Sequence, residues 1–116
     1  MIIVYGIPSC DSVKRARTWL NLQQLNYQFH DFKKLGVPAP ELAQWLAELG
    51  WGKVLNRSGT TWRKQDEATR VGVTDALSAA ALMLAEPSVI KRPLVRWASG
   101  RLSVGFSSEQ FAHEIG

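Results

Sequence analysis

Ile2-Ile3-Val4-Tyr5-Gly6-Ile7-Pro8-Ser9-Cys10-Asp11-Ser12-Val13-Lys14-Arg15-Ala16-Arg17-Thr18-Trp19-Leu20 is the stretch from which the rest of the chain is read. Ile2 to Tyr5 is a short apolar run rich in β-branched residues, which predicts a buried strand. Gly6-Ile7-Pro8-Ser9 reads as a turn. A helix is expected from about Cys10 to Gln24, with Ser9 as its N-cap and Asp11 and Ser12 in its first turn. Val13, Ala16 and Leu20 recur at helical spacing and form its apolar face. The unit is therefore strand, turn, helix, with a cysteine at the turn-to-helix step.

Working outward, Tyr27 to Phe32 alternates and is aromatic-rich, which predicts a second strand. A strand–helix–strand unit in one sheet is right-handed, with its strands parallel. Pro38-Ala39-Pro40-Glu41 opens another helix, with Leu42, Trp45, Leu46 and Leu49 as its stripe and Gly50 past its end. Trp51 to Val73 is irregular and polar. Thr74-Asp75 caps a third long helix through Leu77, Ala80, Ala81 and Leu84, stopped by Pro87. Leu94 to Trp97 and Leu102 to Val104 flank Ala98-Ser99-Gly100-Arg101 and predict a hairpin. Ser107 with Gln110 is a capping-box pattern for a last helix carrying Phe111 and Ile115. The order is βαβ, a helical middle, then ββα. The expectation is α/β: one thioredoxin-like domain over residues 1–116, built on a four-stranded mixed sheet, with a helical insertion at about 39–89.

Composition narrows the function classes. The chain has 116 residues, 46% of them hydrophobic and 21% charged, ordinary values for one globular domain. No run approaches the roughly 20 apolar residues of a membrane span, and the first residues lack the pattern of a signal peptide, so a cytoplasmic location is expected. One cysteine excludes an internal disulfide. Cys10, His30 and His113 are not at metal-ligand spacing, so no metal and no bound cofactor are expected. The net charge of +4 is carried by scattered cations rather than a dense stripe, which argues against a nucleic-acid partner and for a small anion.

The chemistry centres on Cys10. A helix N-terminus supplies about half a positive charge and unpaired N–H donors, and Lys14 lies one turn on. Cysteines so placed have pKa values of about 3.5 to 7.5, against about 8.5 for a free thiol. Asp11 opposes this unless it turns away. The motif Cys10-Asp11-Ser12-Val13 has no second cysteine, so any disulfide formed must be intermolecular and resolved by an external thiol, with glutathione the cytosolic supply. In a thioredoxin-like fold a proline before the third strand packs beside the cysteine. Pro93, in Lys91-Arg92-Pro93-Leu94, holds that place and would carry Arg92 towards Cys10, where a guanidinium can stabilise a thiolate or hold a carboxylate. Arg57 and Arg63 lie in the polar middle segment, which would have to fold over the site for them to act there.

Tyr5-Gly6-Ile7-Pro8-Ser9-Cys10-Asp11-Ser12-Val13-Lys14, Gly59-Thr60-Thr61-Trp62-Arg63-Lys64, Thr74-Asp75-Ala76, Ser78-Ala79-Ala80-Ala81-Leu82-Met83 and Ile90-Lys91-Arg92-Pro93-Leu94 together resemble the ArsC/Spx/YffB family, and its YffB-type proteins most closely. The resemblance implies a glutathione-dependent thiol reductase acting on an oxidised thiol or oxyanion. Cys10 matches the nucleophile and Arg92 one anion-holding arginine, with Arg57 a looser match to a second. The site expected is Cys10 and Arg92 for catalysis, Lys14, Arg57 and Arg63 for thiolate and anion stabilisation, and Ser12, Arg92 and Pro93 for glutathione. The third ArsC arginine falls near Val104 or Gly105, and the ArsC loop histidine falls at Gly6. The alternatives are an arsenate reductase, or an Spx-like adaptor that binds RNA polymerase. Val13 stands where the Spx switch has its second cysteine.

Overall fold

The computed structural model describes residues 1–116. The chain divides into two compact units, residues 1–35 with 92–116, and residues 36–91.

The first unit holds the sheet. Strands β1 (Ile2–Gly6), β2 (Tyr27–Asp31), β3 (Leu94–Arg96) and β4 (Leu102–Val104) lie in the order β2-β1-β3-β4. β1 and β2 are parallel, and β1–β3 and β3–β4 are antiparallel. This is the thioredoxin-like mixed sheet expected from the order of elements. Helices α1 (Asp11–Leu22) and α8 (Ser108–Ile115) cover one of its faces. There Ile2, Val4, Val95 and Trp97 of the sheet and its hairpin meet Ala16 and Leu20 of α1 and Phe111 of α8. Val13, Ala16 and Leu20 are fully buried, as their spacing predicts. Trp97 stands edge-on to Phe111, with ring centroids 4.8 Å apart, and its indole N–H donates to Ser103 Oγ at 2.9 Å. Ser107 Oγ accepts the Gln110 amide at 3.0 Å, so the predicted cap of α8 forms. The strand expected to reach Phe32 stops at Asp31. Asp31 Oδ1 accepts the Lys33 amide at 2.8 Å and starts the short helix α2 (Phe32–Leu35), an Asx cap that outcompetes continued alternation.

The second unit is helical, and the segment read as an insertion falls within it. Its helices are α3 (Ala39–Leu49), α4 (Trp51–Val54), α5 (Thr60–Arg63), α6 (Glu67–Gly72) and α7 (Ala76–Ala85), followed by a 3-10 turn at Pro87–Val89. The stretch read as irregular, Trp51 to Val73, is therefore three short helices. Each has four to six residues, too few to show a periodic stripe. Asp75 caps α7 as expected, and with Ser78 closes a full capping box. The buried face of α7 differs from expectation. Ala79, Leu82 and Met83 are buried, while Leu77 is 82% and Leu84 45% exposed. The helix is apolar nearly all round, so periodicity alone does not choose its inner face.

Gly6 sets how closely α1 approaches the sheet. A Cβ on Gly6 would lie 2.7 Å from Val13 Cγ2, and Val13 is fully buried with no room to retreat. Gly6→Ala is expected to cost about 1–3 kcal/mol, the usual penalty of overpacking, read as a lower urea midpoint with unchanged slope. An unchanged midpoint would mean that the first turn of α1 can move away freely.

Candidate active site

Cys10 is the N-cap of α1, with φ −72° and ψ 128°. Ser9 was the expected cap, and serine is the better capping residue by preference. The chain turns one residue later. The Cys10 amide donates to the Ile7 carbonyl at 3.1 Å, closing the loop, and the Cys10 carbonyl accepts the Lys14 amide at 2.9 Å, opening the helix. The consequence is chemical. An N-cap side chain faces the free amides of the second and third helical residues, here Ser12 and Val13.

The sulfur closes no ordinary cap hydrogen bond, but those amides favour its anion. Burial pushes the Cys10 thiol up. The Val13 amide, the Arg92 guanidinium and the Ser12 amide more than offset this and hold the thiol below its ordinary value. Lys14 and Asp11 are both exposed and are not among the groups that move it. The groups that favour the Cys10 anion here are backbone amides and Arg92, whereas the exposed Lys14 ammonium is screened by water.

Sheet register explains why Arg92 reaches Cys10. β3 runs antiparallel to β1 with Leu94 opposite Tyr5, so the start of β3 lies beside the end of β1. Arg92, two residues before Leu94, arrives where the Gly6–Cys10 loop emerges. The Arg92–Pro93 peptide bond is cis, Pro93 is buried, and the Pro93 carbonyl accepts the Gly105 amide at 2.9 Å.

The Ser12 amide and the Arg92 guanidinium are thus brought to Cys10 within the first unit, with Pro93 next to Arg92 in the chain. Arg57 and Arg63 belong to the second unit and have partners there. The Arg57 guanidinium lies 5.4 Å from the Trp51 ring centroid, and Arg63 donates to the Ser58 carbonyl. No group of three or more His, Cys, Asp and Glu is placed to hold a metal ion, and no helix is long and apolar enough to cross a membrane. Sequence reasoning expected free amides at this helix end but, with Ser9 as the cap, did not identify them as those of Ser12 and Val13, and it missed the Gly6–Val13 approach. Backbone groups carry no residue signature, and only the glycine at the strand end hints at the second.

Arg92→Gln tests the electrostatics. Its alkylation by iodoacetamide at pH 7 is expected to fall about three- to tenfold, and its rate–pH profile to move upward. Arg92→Lys should recover part of the loss, because it keeps the charge without the fork. Equal rates in all three proteins would remove Arg92 from the site.

The ArsC family model matches residues 5–113, a span that includes Cys10 and Arg92. The chain belongs to the ArsC family. Among solved structures this ArsC-family protein is similar to the YffB protein, at 46% identity and a TM-score of 0.93 over all of both chains. It is also similar to an arsenate reductase (ArsC) related protein from Brucella melitensis, at 44% identity and a TM-score of 0.75 over 98% of this chain and 93% of that one. An uncharacterized protein of Haemophilus influenzae is 33% identical over 96% of each chain. The global transcriptional regulator Spx of Streptococcus mutans is 25% identical over 95% of this chain and 80% of its own length.

Proposed function

We propose that this ArsC-family protein is a glutathione-dependent, monothiol thiol–disulfide oxidoreductase. The observation that carries the reading is Cys10 at the N-cap of α1 with the Arg92 guanidinium on its sulfur, in a chain with one cysteine. The Cys10 thiolate attacks one sulfur of a substrate disulfide. The Cys10–substrate bond forms, the old S–S bond breaks, and the other sulfur leaves as a thiolate and takes a proton from water. A glutathione thiolate then attacks the Cys10 sulfur and releases the bound substrate thiol. A second glutathione attacks the glutathionyl sulfur, returning the Cys10 thiolate and glutathione disulfide. One substrate disulfide becomes two thiols while two glutathiones become one disulfide.

In this reading Arg92 does two things. It stabilises the anion at each stage where Cys10 is the nucleophile or the leaving group, and it binds a glutathione carboxylate. Ser12, whose amide faces the sulfur, and Pro93, next to Arg92, are the further residues assigned to glutathione in this reading. Oxyanion reduction is the less favoured enzymatic reading. Val104 and Gly105, where the third ArsC arginine falls, carry no cation, and Gly6 has no space for a side chain.

The test is incubation with glutathione disulfide followed by intact-mass measurement and a coupled turnover assay. One glutathionyl adduct on Cys10, removed by reduced glutathione, is the expected result. Failure to form or to turn over that adduct would sink the proposal. The similarity to Spx regulators favours a second reading, an adaptor that acts by binding a protein partner. It predicts a complex in pull-downs that survives Cys10→Ser, whereas the oxidoreductase predicts capture that needs the thiol.

A further inference from the structure

Arg17 is held in an unusual way for a surface cation. Its guanidinium carbon lies 4.1 Å above the Phe29 ring centroid and 5.8 Å from that of Tyr27, and its Nε donates to the Tyr27 hydroxyl at 3.0 Å. Its partners are these two rings and the Tyr27 hydroxyl rather than a carboxylate. Two cavities share Arg17 and Phe29 as wall residues. One, of about 430 Å³, runs past Lys34 to Pro8. The other, of about 310 Å³, is lined also by Asn21 and Asn26. The carboxylate on this wall, Asp31, is turned to the amides of Lys33 and Lys34 at 2.8 and 3.4 Å, where it caps α2.

We propose that this groove along α1 and β2 binds an acidic segment of the peptide whose disulfide Cys10 attacks; the proposal rests on the oxidoreductase reading above. Three observations carry it. Pro8 lines the near end and is two residues from Cys10, so at most about 7 Å separates the Cα atoms of the two residues. Between them the two cavities are lined by Tyr27, Phe29 and Asp31 of the edge strand β2, whose five residues span roughly 15 Å, the length of four or five extended residues and far more than a single oxyanion fills. The fixed guanidinium of Arg17, with the exposed ammonium of Lys34, then selects for carboxylates, while Asn21 and Asn26 offer donors and acceptors for peptide backbone. Arg17 loses little freedom on binding, because ring stacking has already ordered it.

The probes are two heptapeptides, each with one central cysteine in mixed disulfide with thionitrobenzoate. They differ only in Asp/Glu against Asn/Gln flanks. Cys10 attacks the peptide sulfur, the Cys10–peptide disulfide forms, and thionitrobenzoate leaves and is read by absorbance. The expected ratio of acidic to neutral rates is about tenfold at low salt, falling as salt is added. Arg17→Gln and the exposed-site variant Lys34→Gln should each lower that ratio. Iodoacetamide, which is uncharged, reports the reactivity of Cys10 itself in every variant. Separately, a serine version of the acidic peptide is titrated into Cys10→Ser and followed by amide NMR shifts, expected at Arg17, Phe29 and Lys34. A ratio of one, a ratio unchanged in both variants, or shifts that miss these residues would overturn the groove. An iodoacetamide profile of an ordinary thiol would overturn the Cys10 reading instead, while the NMR titration still decides the groove.

Discussion

Cys10→Ser abolishes thiol–disulfide turnover and glutathionyl adduct formation, a loss expected to exceed about a thousandfold, because serine at neutral pH supplies neither a thiolate nor a sulfur to bridge. With one cysteine in the chain, no other thiol can substitute. The same variant tests the electrostatics through stability. Burial raises the Cys10 thiol pKa, the Val13 amide, Arg92 and the Ser12 amide lower it further than that, and the folded value lies below the unfolded one. A depressed pKa contributes stability that is fully present above the unfolded value and is lost as pH falls through the folded value. The wild type should therefore gain stability relative to Cys10→Ser as pH rises from 6 to 9. Because the sulfur is only half-buried, the gain should be small beside the effect on activity. Denaturant midpoints of the two proteins across that range check the sign. Parallel curves would mean that the folded protein does not favour the thiolate.

Trp97→Ala has the largest expected effect on stability, about 3–5 kcal/mol. Trp97 is 2% exposed, packs edge-on against Phe111, and satisfies Ser103 Oγ in a site where Ser103 itself is 3% exposed. Truncation leaves a cavity between the hairpin and α8 and strands a buried hydroxyl, two costs that add. Against the 5–15 kcal/mol typical of a native protein, the thermal midpoint should fall by roughly 10–20 °C. Trp97→Phe keeps most of the packing and loses the hydrogen bond, so it should cost about 1–2 kcal/mol. Thermal and urea unfolding of the two variants separate the contributions. Equal losses in both would place the whole effect on the hydrogen bond.

The first unit was the more legible in sequence. Its strands are short apolar or alternating runs, and Val13, Ala16 and Leu20 mark the inner face of α1 without ambiguity. The second unit was less so, for two different reasons. The short helices between Trp51 and Val73 owe their form to packing rather than to local pattern. α7 is so uniformly apolar that Leu77 and Leu84 looked as fit for the core as Leu82 and Met83. At the site, residue preference pointed to Ser9 as the cap, yet the loop closed by the Cys10 amide and the Ile7 carbonyl moves the cap to Cys10.

By itself the sequence determined the single candidate nucleophile, the element order, the helix start beside the cysteine and the absence of a second thiol, because these depend on residue identity and on neighbours along the chain. Tertiary structure decided what activates the thiol. The antiparallel register of β3 on β1 carries Arg92 across more than eighty residues of chain to the Cys10 sulfur, and the bare Cα of Gly6 lets α1 settle with its amides around it. The sequence pointed to both through the proline before β3 and the helix start, but only the register and the close packing at Gly6 fix the contact itself.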